Sequence, residues 1–347
     1  MTERQNGKAL ALIGASHFLV DFLCTALLTA SVAGSAYPRS AIVLFAVVYN
    51  GLAFAFQAPI GALADRLRLT RSIAAFGCVL VAAGILIPAP IAMCIVIGVG
   101  NACFHVGGGR EALKLGEGKA GPVGRFVAPG AVGIFLGPRC AAVTLITRAA
   151  APLLLCAAAF LLLRTRRTET ETLEPAPLTM SRGRLVAVMT CMFLTVLLRS
   201  YIGTALHYSF ASVFVFAALF TLCIFAGKFT GGLFADRFGA LRFSAVAQPV
   251  CVLLLLLSLR WQWAAMPAIL LFNTTMAITA AELYRCAPAS PGATFGLTTL
   301  ALYLGILPKL LGRTPPAVSF RSLLALGVAS AALLLAGLRL AEGRKHG

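Results

Sequence analysis

Charged residues are scarce in this chain of 347 amino acids. Only 12% of its residues are Asp, Glu, Lys or Arg, and 60% are hydrophobic. Ordinary soluble domains carry roughly 25% charged residues. A soluble globule of this size could not cover its surface with so few polar groups, whereas a bilayer is itself an apolar solvent. The composition therefore excludes an ordinary soluble domain and predicts an all-α integral membrane protein.

Acidic residues are scarcer still, with 11 Asp and Glu against 29 Lys and Arg and a net charge of +18. In a soluble protein this imbalance would indicate a nucleic-acid partner. Here the basic residues lie between hydrophobic segments, mostly in the alternate loops that the positive-inside rule assigns to the cytoplasm. We therefore expect a lipid bilayer rather than nucleic acid as the partner. The expected location is the inner (plasma) membrane, with both termini cytoplasmic.

The chain also lacks the common catalytic and metal-binding patterns. It has no P-loop, no G-x-S-x-G, no H-E-x-x-H and no C-x-x-C. Its ten cysteines lie almost entirely in apolar runs, so we interpret them as small buried hydrophobes. We expect no enzymatic activity, no cofactor and no metal. The glycine run 107–109 with Arg110 follows no strand, and we interpret it as a flexible cytoplasmic turn.

What the sequence does contain is long apolar runs. A membrane span needs roughly 20 mostly apolar residues, and twelve runs approach that length. The predicted spans are 9–34, 40–62, 72–88, 89–107, 121–140, 149–163, 184–206, 209–233, 241–259, 262–282, 293–312 and 320–340. The stretch 164–183 is too polar to cross a bilayer. It predicts a cytoplasmic linker between six helices at 1–163 and six at 184–347.

The two halves share a repeated loop sequence. Gly61-Ala-Leu-Ala-Asp65-Arg66, followed by Arg71, recurs as Gly232-Leu-Phe-Ala-Asp236-Arg237, followed by Arg242. Glu111 and Lys114 recur at the same offset as Glu282 and Arg285. A constant offset across separate loops indicates duplication of a six-helix unit. Both copies have the same predicted orientation, so the repeat is parallel.

This arrangement resembles the major facilitator superfamily. Twelve spans in two sets of six, a central linker and the loop after spans two and eight are similar to that family, whose loop is approximately G-x-L-A-D-R-x-G-R-[KR]. The first copy has Arg68, Leu69 and Thr70 where the family has glycine and basic residues, and the second copy lacks the basic pair. The resemblance implies two bundles that rock about a central site, with these loops as gates.

Two narrower resemblances concern the mechanism. Gly124, Gly133, Gly137 and Pro138 of the fifth span fit a pattern that this superfamily associates with proton-exchanging exporters, and physically they allow close packing and a bend. His17-x-x-x-Asp21 and the run 98–105, which ends in Phe104-His105, resemble the first and fourth helices of fosmidomycin-resistance-type transporters. These resemblances imply export in exchange for protons. An ordinary packed helix remains the alternative for the fifth span.

Ionisable groups at membrane depth are costly and are functional candidates by default. His17 and Asp21 share a helix face in the first span, and Arg199 lies well inside the seventh. The family resemblance implies that the first and seventh helices both line a central, water-filled cavity. We therefore expect Asp21 to carry a proton that His17 relays, and Arg199 to bind substrate across that cavity. The alternative is a buried structural pair that only joins two helices.

The remaining polar residues near the spans fall into two predicted groups. His105, Arg125, Asn50 and Gln57 are substrate-contact candidates, with interhelical hydrogen bonds as the alternative for the two amides. Lys228 is interpreted as interfacial. The predicted gating residues lie at the cytoplasmic ends of the spans. These are Asp65, Arg66, Arg71, Asp236, Arg237, Arg242, Glu111, Glu282 and Arg285.

Together these features predict a secondary active transporter. We expect a monomer that exports a small anionic or amphipathic compound, an antibiotic among the candidates, in exchange for protons by alternating access. The first alternative is an uptake carrier for a small metabolite. A second is a sensor or scaffold that keeps the fold without transporting, and a membrane enzyme has the least support.

Overall fold

The computed structural model describes residues 3–32, 37–165, 180–313 and 319–342. Every regular element in these ranges is a helix. Twelve helical spans follow one another. They are α1 (Glu3–Val32), α2 (Arg39–Arg66), α3 (Arg71–Leu86), α4 (Pro90–Leu115), α5 (Ala120–Cys140), α6 (Ile146–Arg164), α7 (Arg182–Ala205), α8 (Phe214–Phe238), α9 (Ala240–Ser258), α10 (Gln262–Cys286), α11 (Pro291–Leu310) and α12 (Phe320–Glu342).

Eleven of these spans in the described ranges are long and apolar enough to cross a membrane, and α3 is the shorter apolar one. This confirms the prediction of twelve apolar helices. The end of α3 follows from the prolines after it. Ile87 leaves the helix with an extended backbone (φ −100°, ψ 108°) because a residue before proline is driven out of the helical region. Pro90 then begins α4, a position where proline fits without losing a hydrogen bond.

Large apolar side chains cover the outside of the bundle. Leu86 and Leu145 are 78% and 75% exposed, and large apolar side chains on α8 and α9 are also exposed, among them Phe214 and Leu253 at 59% and 65%. In water such a surface would be an aggregation liability. Around a helical bundle of this length it suits a hydrocarbon environment, so the fold is that of a multi-pass membrane protein.

The run Gly107-Gly108-Gly109-Arg110 is helical and buried, so its interpretation as a flexible turn is wrong. Each glycine lets α4 approach a different neighbour. A Cβ would come 2.6 Å from the Thr70 carbonyl oxygen at Gly107, from the Phe126 ring at Gly108 and from the Phe295 ring at Gly109. Such contacts between small residues and neighbouring helices outweigh the low helix propensity of glycine. Helix α4 therefore continues beyond 107 to Leu115.

Helices α2 and α6 each contain a π-helical turn, at Gly51–Ala55 and Ile146–Ala150. A π turn inserts one residue into the helical repeat and rotates everything beyond it. In α2 the turn lies between Asn50 and Gln57. The turn therefore changes the angle between the two amides around the axis of α2.

The two halves of the molecule meet along two helix pairs, α2 with α11 and α5 with α8. Glycines bring the backbones together at both. A Cβ at Gly61 would lie 2.8 Å from the Ala293 amide nitrogen, and one at Gly124 would lie 2.5 Å from the Lys228 carbonyl oxygen. Helix association within membranes depends on such close van der Waals packing. Each pair joins one helix from the first six to one from the second six.

The predicted linker 164–183 lies between α6 and α7. Helix α6 ends at Arg164 and α7 begins at Arg182. Residues 166–179 lie outside the described residues. Both flanking helix ends lie at the end of the bundle that carries Arg66–Arg71 and Arg237–Arg242, which we call the Asp–Arg end.

Candidate functional site

A buried polar cluster joins α1, α4 and α5. The His17 Nε2 atom lies 3.1 Å from Asp21 Oδ2 and 2.8 Å from His105 Nε2. The Asn101 amide donates to Asp21 Oδ1 at 3.1 Å. All four residues are 6% exposed or less. We call His17, Asp21, Asn101 and His105 the imidazole–carboxylate cluster.

Helical spacing and a glycine build this cluster. His17 and Asp21 are four residues apart on α1, as are Asn101 and His105 on α4, so each pair shares a face. Gly130 on α5 faces the first pair. A Cβ there would overlap the His17 ring and lie 2.5 Å from Asp21 Oδ2. The absence of a side chain at 130 therefore allows α5 to close over the cluster.

The surroundings of the cluster are mostly apolar. The rings of Phe104 and Phe126 lie 6.1 Å and 4.7 Å from that of His17. The Asn101 amide also donates to the Tyr49 hydroxyl at 3.4 Å. Lys228, on α8 of the other half, lies within electrostatic range of Asp21 and His105. Its predicted interfacial position stays a prediction.

The cluster's three ionisable side chains bring their ligand atoms within 4.8 Å of one another. Two nitrogen ligands at 2.0–2.1 Å from a tetrahedral ion would be separated by about 3.3 Å. The 2.8 Å separation of the two Nε2 atoms is shorter and has the length of a hydrogen bond. As arranged, the two rings meet around a proton position rather than around a metal position.

Arg199 is held inside the second half by α9 and α10. Its guanidinium donates to Gln248 Oε1 at 2.8 Å and to the Phe272 carbonyl oxygen, and lies 3.9 Å from the centre of the Phe272 ring. The side chain is only 8% exposed. These partners fix the direction of the guanidinium plane, and its remaining N–H groups are suited to a ligand.

Beside Arg199 lies a cavity of about 430 Å³ that reaches the α7–α8 connection, at the end opposite the Asp–Arg end. It is mostly apolar, with lining residues that include Val196, Phe220, Phe272 and Met276. Its polar lining residues are Arg199, Ser200, His207, Tyr208, Asn273 and Thr275. A cation in an apolar cavity is suited to a small amphipathic anion.

No residue of the imidazole–carboxylate cluster lines this cavity. In the described part of the chain, the cavity and the cluster are formed by different residues. That Asp21 and Arg199 face one shared space stays a prediction. Helix α5 with Gly130 covers the cluster on one side, while the cavity is bounded by α7, α8, α10 and α11. The two sites belong to different halves.

Asp65, at the end of α2, binds the start of α11 in the other half. Its carboxylate accepts hydrogen bonds from the Gly292 and Ala293 amides at 3.0 Å and 2.9 Å. Arg110 of α4 donates to the same carboxylate at 2.9 Å. A carboxylate at a helix N-terminus satisfies free N–H groups and interacts favourably with the helix dipole. Asp65 therefore ties the halves together at the Asp–Arg end.

Asp236, at the repeated position, makes the reciprocal contact. It accepts from the Ala120 and Gly121 amides at 2.8 Å and 2.7 Å, at the start of α5. Gly232 permits this approach, since a Cβ there would lie 2.9 Å from the Gly121 Cα. We call these contacts the paired Asp caps. Each half thus caps a helix of the other.

The predicted gating acids make different contacts from the two aspartates. Glu111 accepts from Arg71 at 2.5 Å and 3.0 Å, which ties α4 to the end of the first loop. Glu282 pairs with Arg285 on its own helix, in a surface depression that also includes Asp236. The other predicted basic residues are exposed at the same end. These are Arg66, Arg237 and Arg242.

Three predicted substrate residues lie away from the cavity. The amides of Asn50 and Gln57 donate to carbonyl oxygens one turn back on α2, at 2.8 Å and 2.6 Å. Arg125 is exposed on α5. None of the three lines the cavity, and His105 lies within the cluster instead.

The predicted bending residues of α5 contribute close packing in a helix that remains continuous to Cys140. A Cβ at Gly133 would lie 2.9 Å from the Phe22 amide nitrogen, and one at Gly137 would lie 3.1 Å from that of Ala26. Pro138 lies in the last turn of α5. The glycines therefore bring α1 against α5 at the level of the cluster.

Sequence reasoning missed several residues that the structure brings to these sites. Asn101 could have been recognised from the sequence, because it is an amide within an apolar helix. Arg110 could not, since it follows a glycine run that resembles a turn. Gln248 and Gly130 are recognisable only from their neighbours in space.

Comparison with known proteins identifies the architecture. No family model matches the sequence, and no curated protein matches it. A crystal structure of a major facilitator superfamily transporter, FucP, in the outward conformation matches 97% of this chain and 99% of its own, with a TM-score of 0.66 and 14% identity. An asparagine-to-alanine variant of the E. coli fucose:proton symporter FucP matches with a TM-score of 0.62 and 14% identity, over 97% of this chain and 98% of its own. The chain therefore has the fold of major facilitator superfamily transporters.

Proposed function

We propose that this chain is a proton-coupled secondary active transporter that exports a small amphipathic anion by alternating access. The observation that carries the proposal is the pair of reciprocal Asp caps. They close the Asp–Arg end of the bundle with contacts between halves. The cavity beside Arg199 meanwhile reaches toward the opposite end.

The caps have energies suited to a gate. A carboxylate at a helix N-terminus contributes roughly 0.3–1 kcal/mol when exposed and up to about 2 kcal/mol when partly buried. Two caps therefore stabilise the closed arrangement by a few kcal/mol, the usual gap between conformers that a ligand can invert. Separation of the halves at this end breaks both caps together.

The cavity chemistry supports an amphipathic anionic substrate. Arg199 supplies a fixed cation with N–H groups left for an anion, and Asn273 and Tyr208 add polar contacts. The apolar lining then contacts the rest of the molecule. A volume of about 430 Å³ suits a small compound.

In this proposal the imidazole–carboxylate cluster binds and releases the coupled proton. It is buried among α1, α4 and α5 and contains the titratable side chains of His17, Asp21 and His105. Helix α4 extends from this cluster to Arg110, which donates to Asp65. A change in protonation that shifts α4 against α1 would therefore also move Arg110 and so affect the Asp65 cap.

The direction of transport rests on the glycine and proline spacing of α5 and on the resemblance of α1 and α4 to fosmidomycin-resistance-type transporters. Uptake by proton symport is the second candidate, favoured by the similarity to structures of a fucose:proton symporter. Both candidates need the same cluster and the same caps. The inner membrane, cytoplasmic termini and a monomeric state are part of the proposal.

Vesicle transport with an imposed pH gradient tests the proposal. Wild-type proteoliposomes are screened against radiolabelled amphipathic anions, and a hit is repeated with Asp21→Asn. We expect the variant to lose gradient-driven flux and to keep substrate counterflow, because the cavity is unchanged. A wild-type protein without counterflow across the panel would favour a sensor or scaffold. Normal gradient-driven flux in Asp21→Asn would remove Asp21 from the coupling role.

A further inference from the structure

In both imidazole rings of the cluster, the Nδ1 atom lies within hydrogen-bond distance of a backbone carbonyl oxygen. His17 Nδ1 lies 2.7 Å from the Phe126 carbonyl oxygen, and His105 Nδ1 lies 2.9 Å from that of Asn101. A carbonyl oxygen only accepts hydrogen bonds. Each Nδ1 must therefore carry a hydrogen. In a neutral ring this leaves Nε2 with a lone pair and no hydrogen.

The Nε2 atoms of the same two rings lie 2.8 Å apart. Two lone pairs repel at this distance, so an N–H group has to stand between them. One of the two rings must then hold a second proton and be an imidazolium. The contact is satisfied only when the pair carries one proton more than two neutral histidines.

Moving that proton onto Asp21 does not satisfy the arrangement. A protonated carboxyl would donate to His17 Nε2 across the 3.1 Å contact. His105 Nε2 would then still face His17 Nε2 without a hydrogen between them. Asp21 accepts from Asn101 and lies beside His17, which is the position of an ionised counter-ion.

We propose that the exchangeable proton of this chain is held between His17 and His105, with Asp21 as its fixed counter-ion. This inference rests on the proposed transport function for its purpose, and on the hydrogen-bond geometry for its location. It revises the expectation that Asp21 itself carries the proton. Loss of the proton leaves facing lone pairs on α1 and α4, and the two rings must separate.

The groups around the pair set the pH at which this happens. The carboxylate of Asp21 lies 3.1 Å from His17 Nε2, so its negative charge attracts the extra proton. Lys228 on α8 of the other half lies within electrostatic range, so its positive charge repels the proton. Tyr49 on α2 and Cys24 on α1 contact Asn101, and both are neutral when protonated. Movement of α8 away from the cluster would remove the opposing charge. Proton affinity is thereby linked to the distance between the halves.

Nitrogen NMR of histidine-labelled protein tests the inference directly. The chain contains four histidines, so ¹⁵N-histidine labelling gives four ring systems. His207→Gln removes the signals of His207, and His17→Gln and His105→Gln assign the buried pair. The full-length protein is titrated in lipid nanodiscs between about pH 5 and about pH 9, where imidazole normally titrates.

We expect both buried rings to keep a protonated Nδ1 throughout and to share one proton between their Nε2 atoms at low pH. Both should lose it in a single step with one midpoint. Asp21→Asn should move that midpoint to lower pH by at least one unit. Lys228→Met should move it to higher pH. Gly7→Ala serves as the control and should leave the step unchanged, since nothing lies within 4 Å of its Cβ position.

Two singly protonated rings at every pH, or one ring protonated only at Nε2, would overturn the inference. So would independent midpoints for the two rings. The wild-type titration decides this even where a variant fails to fold. A shared proton in a protein that transports nothing would refute the proposed function alone, whereas transport without a shared proton would refute the inference alone.

Discussion

Gly130 presents only a hydrogen atom to His17 and Asp21, so α5 can close over them. His17, Asp21 and His105 were predictable, because ionisable residues inside apolar spans are rare and costly. Gly130 was not, because one more glycine in a glycine-rich helix carries no signal of what it faces. Asn101 falls between these cases.

Gly130→Ala should disrupt coupling with little loss of fold. The added methyl group would overlap His17, and overpacking a tight site costs about 1–3 kcal/mol. We expect the single-step proton loss of the two rings to split into two midpoints, measured by the same nitrogen titration. Gly7→Ala is the control, since nothing lies within 4 Å of its Cβ position. An unchanged titration in Gly130→Ala would show that α5 does not confine the rings.

Arg199 shows where reasoning from residues alone fails. Its intramembrane position marked it as functional, but its partners Gln248 and Phe272 come from helices far along the chain. The expectation that Arg199 and Asp21 face one space came from the family resemblance, in which the first and seventh helices line a central cavity. Their hydrogen-bond partners lie in different halves of the chain.

At the scale of helices, the repeated loop predicted the paired Asp caps only in part. The common offset of Asp65 and Asp236 indicated equivalent roles. Which helix each aspartate binds was not predictable. The partners are backbone amides, which every residue except proline has, so the sequence does not mark them. Helix α4 was also predicted too short, since a glycine run resembles a turn until its neighbours are known.

Asp65→Asn and Asp236→Asn should each loosen a different helix start. An amide oxygen carries no charge, so the cap loses its interaction with the helix dipole. Hydrogen–deuterium exchange should become faster at Gly292 and Ala293 in Asp65→Asn, and at Ala120 and Gly121 in Asp236→Asn. The larger effect is expected for Asp65, which also holds Arg110.

Each variant is the internal control of the other. Exchange that rises equally at both helix starts in both variants would mean general destabilisation. Exchange that rises at neither would mean that the caps contribute nothing measurable to closure at this end.

At the scale of the whole molecule, composition and the repeat predicted most of the architecture. A chain this apolar has few soluble alternatives, and a duplicated six-helix unit implies two bundles. The contacts between the bundles were harder to predict from the sequence. They depend on glycines such as Gly61 and Gly124, whose role appears only when α11 and α8 lie against them.

The central claim is that the two ends of the molecule open in opposition. Double electron–electron resonance between spin labels tests it, with labels attached through unnatural amino acids so that the ten cysteines remain. One label pair replaces Arg66 and Ala289 at the Asp–Arg end, and another replaces Tyr37 and Arg313 at the opposite end. All four positions are exposed.

The measurement compares wild type with the double variant Asp65→Asn, Asp236→Asn in nanodiscs. Loss of both caps should lengthen the Arg66–Ala289 distance and shorten the Tyr37–Arg313 distance, because the halves rock about the central site. A change at one end alone, changes of the same sign at both ends, or unaltered distances would contradict alternating access in this chain.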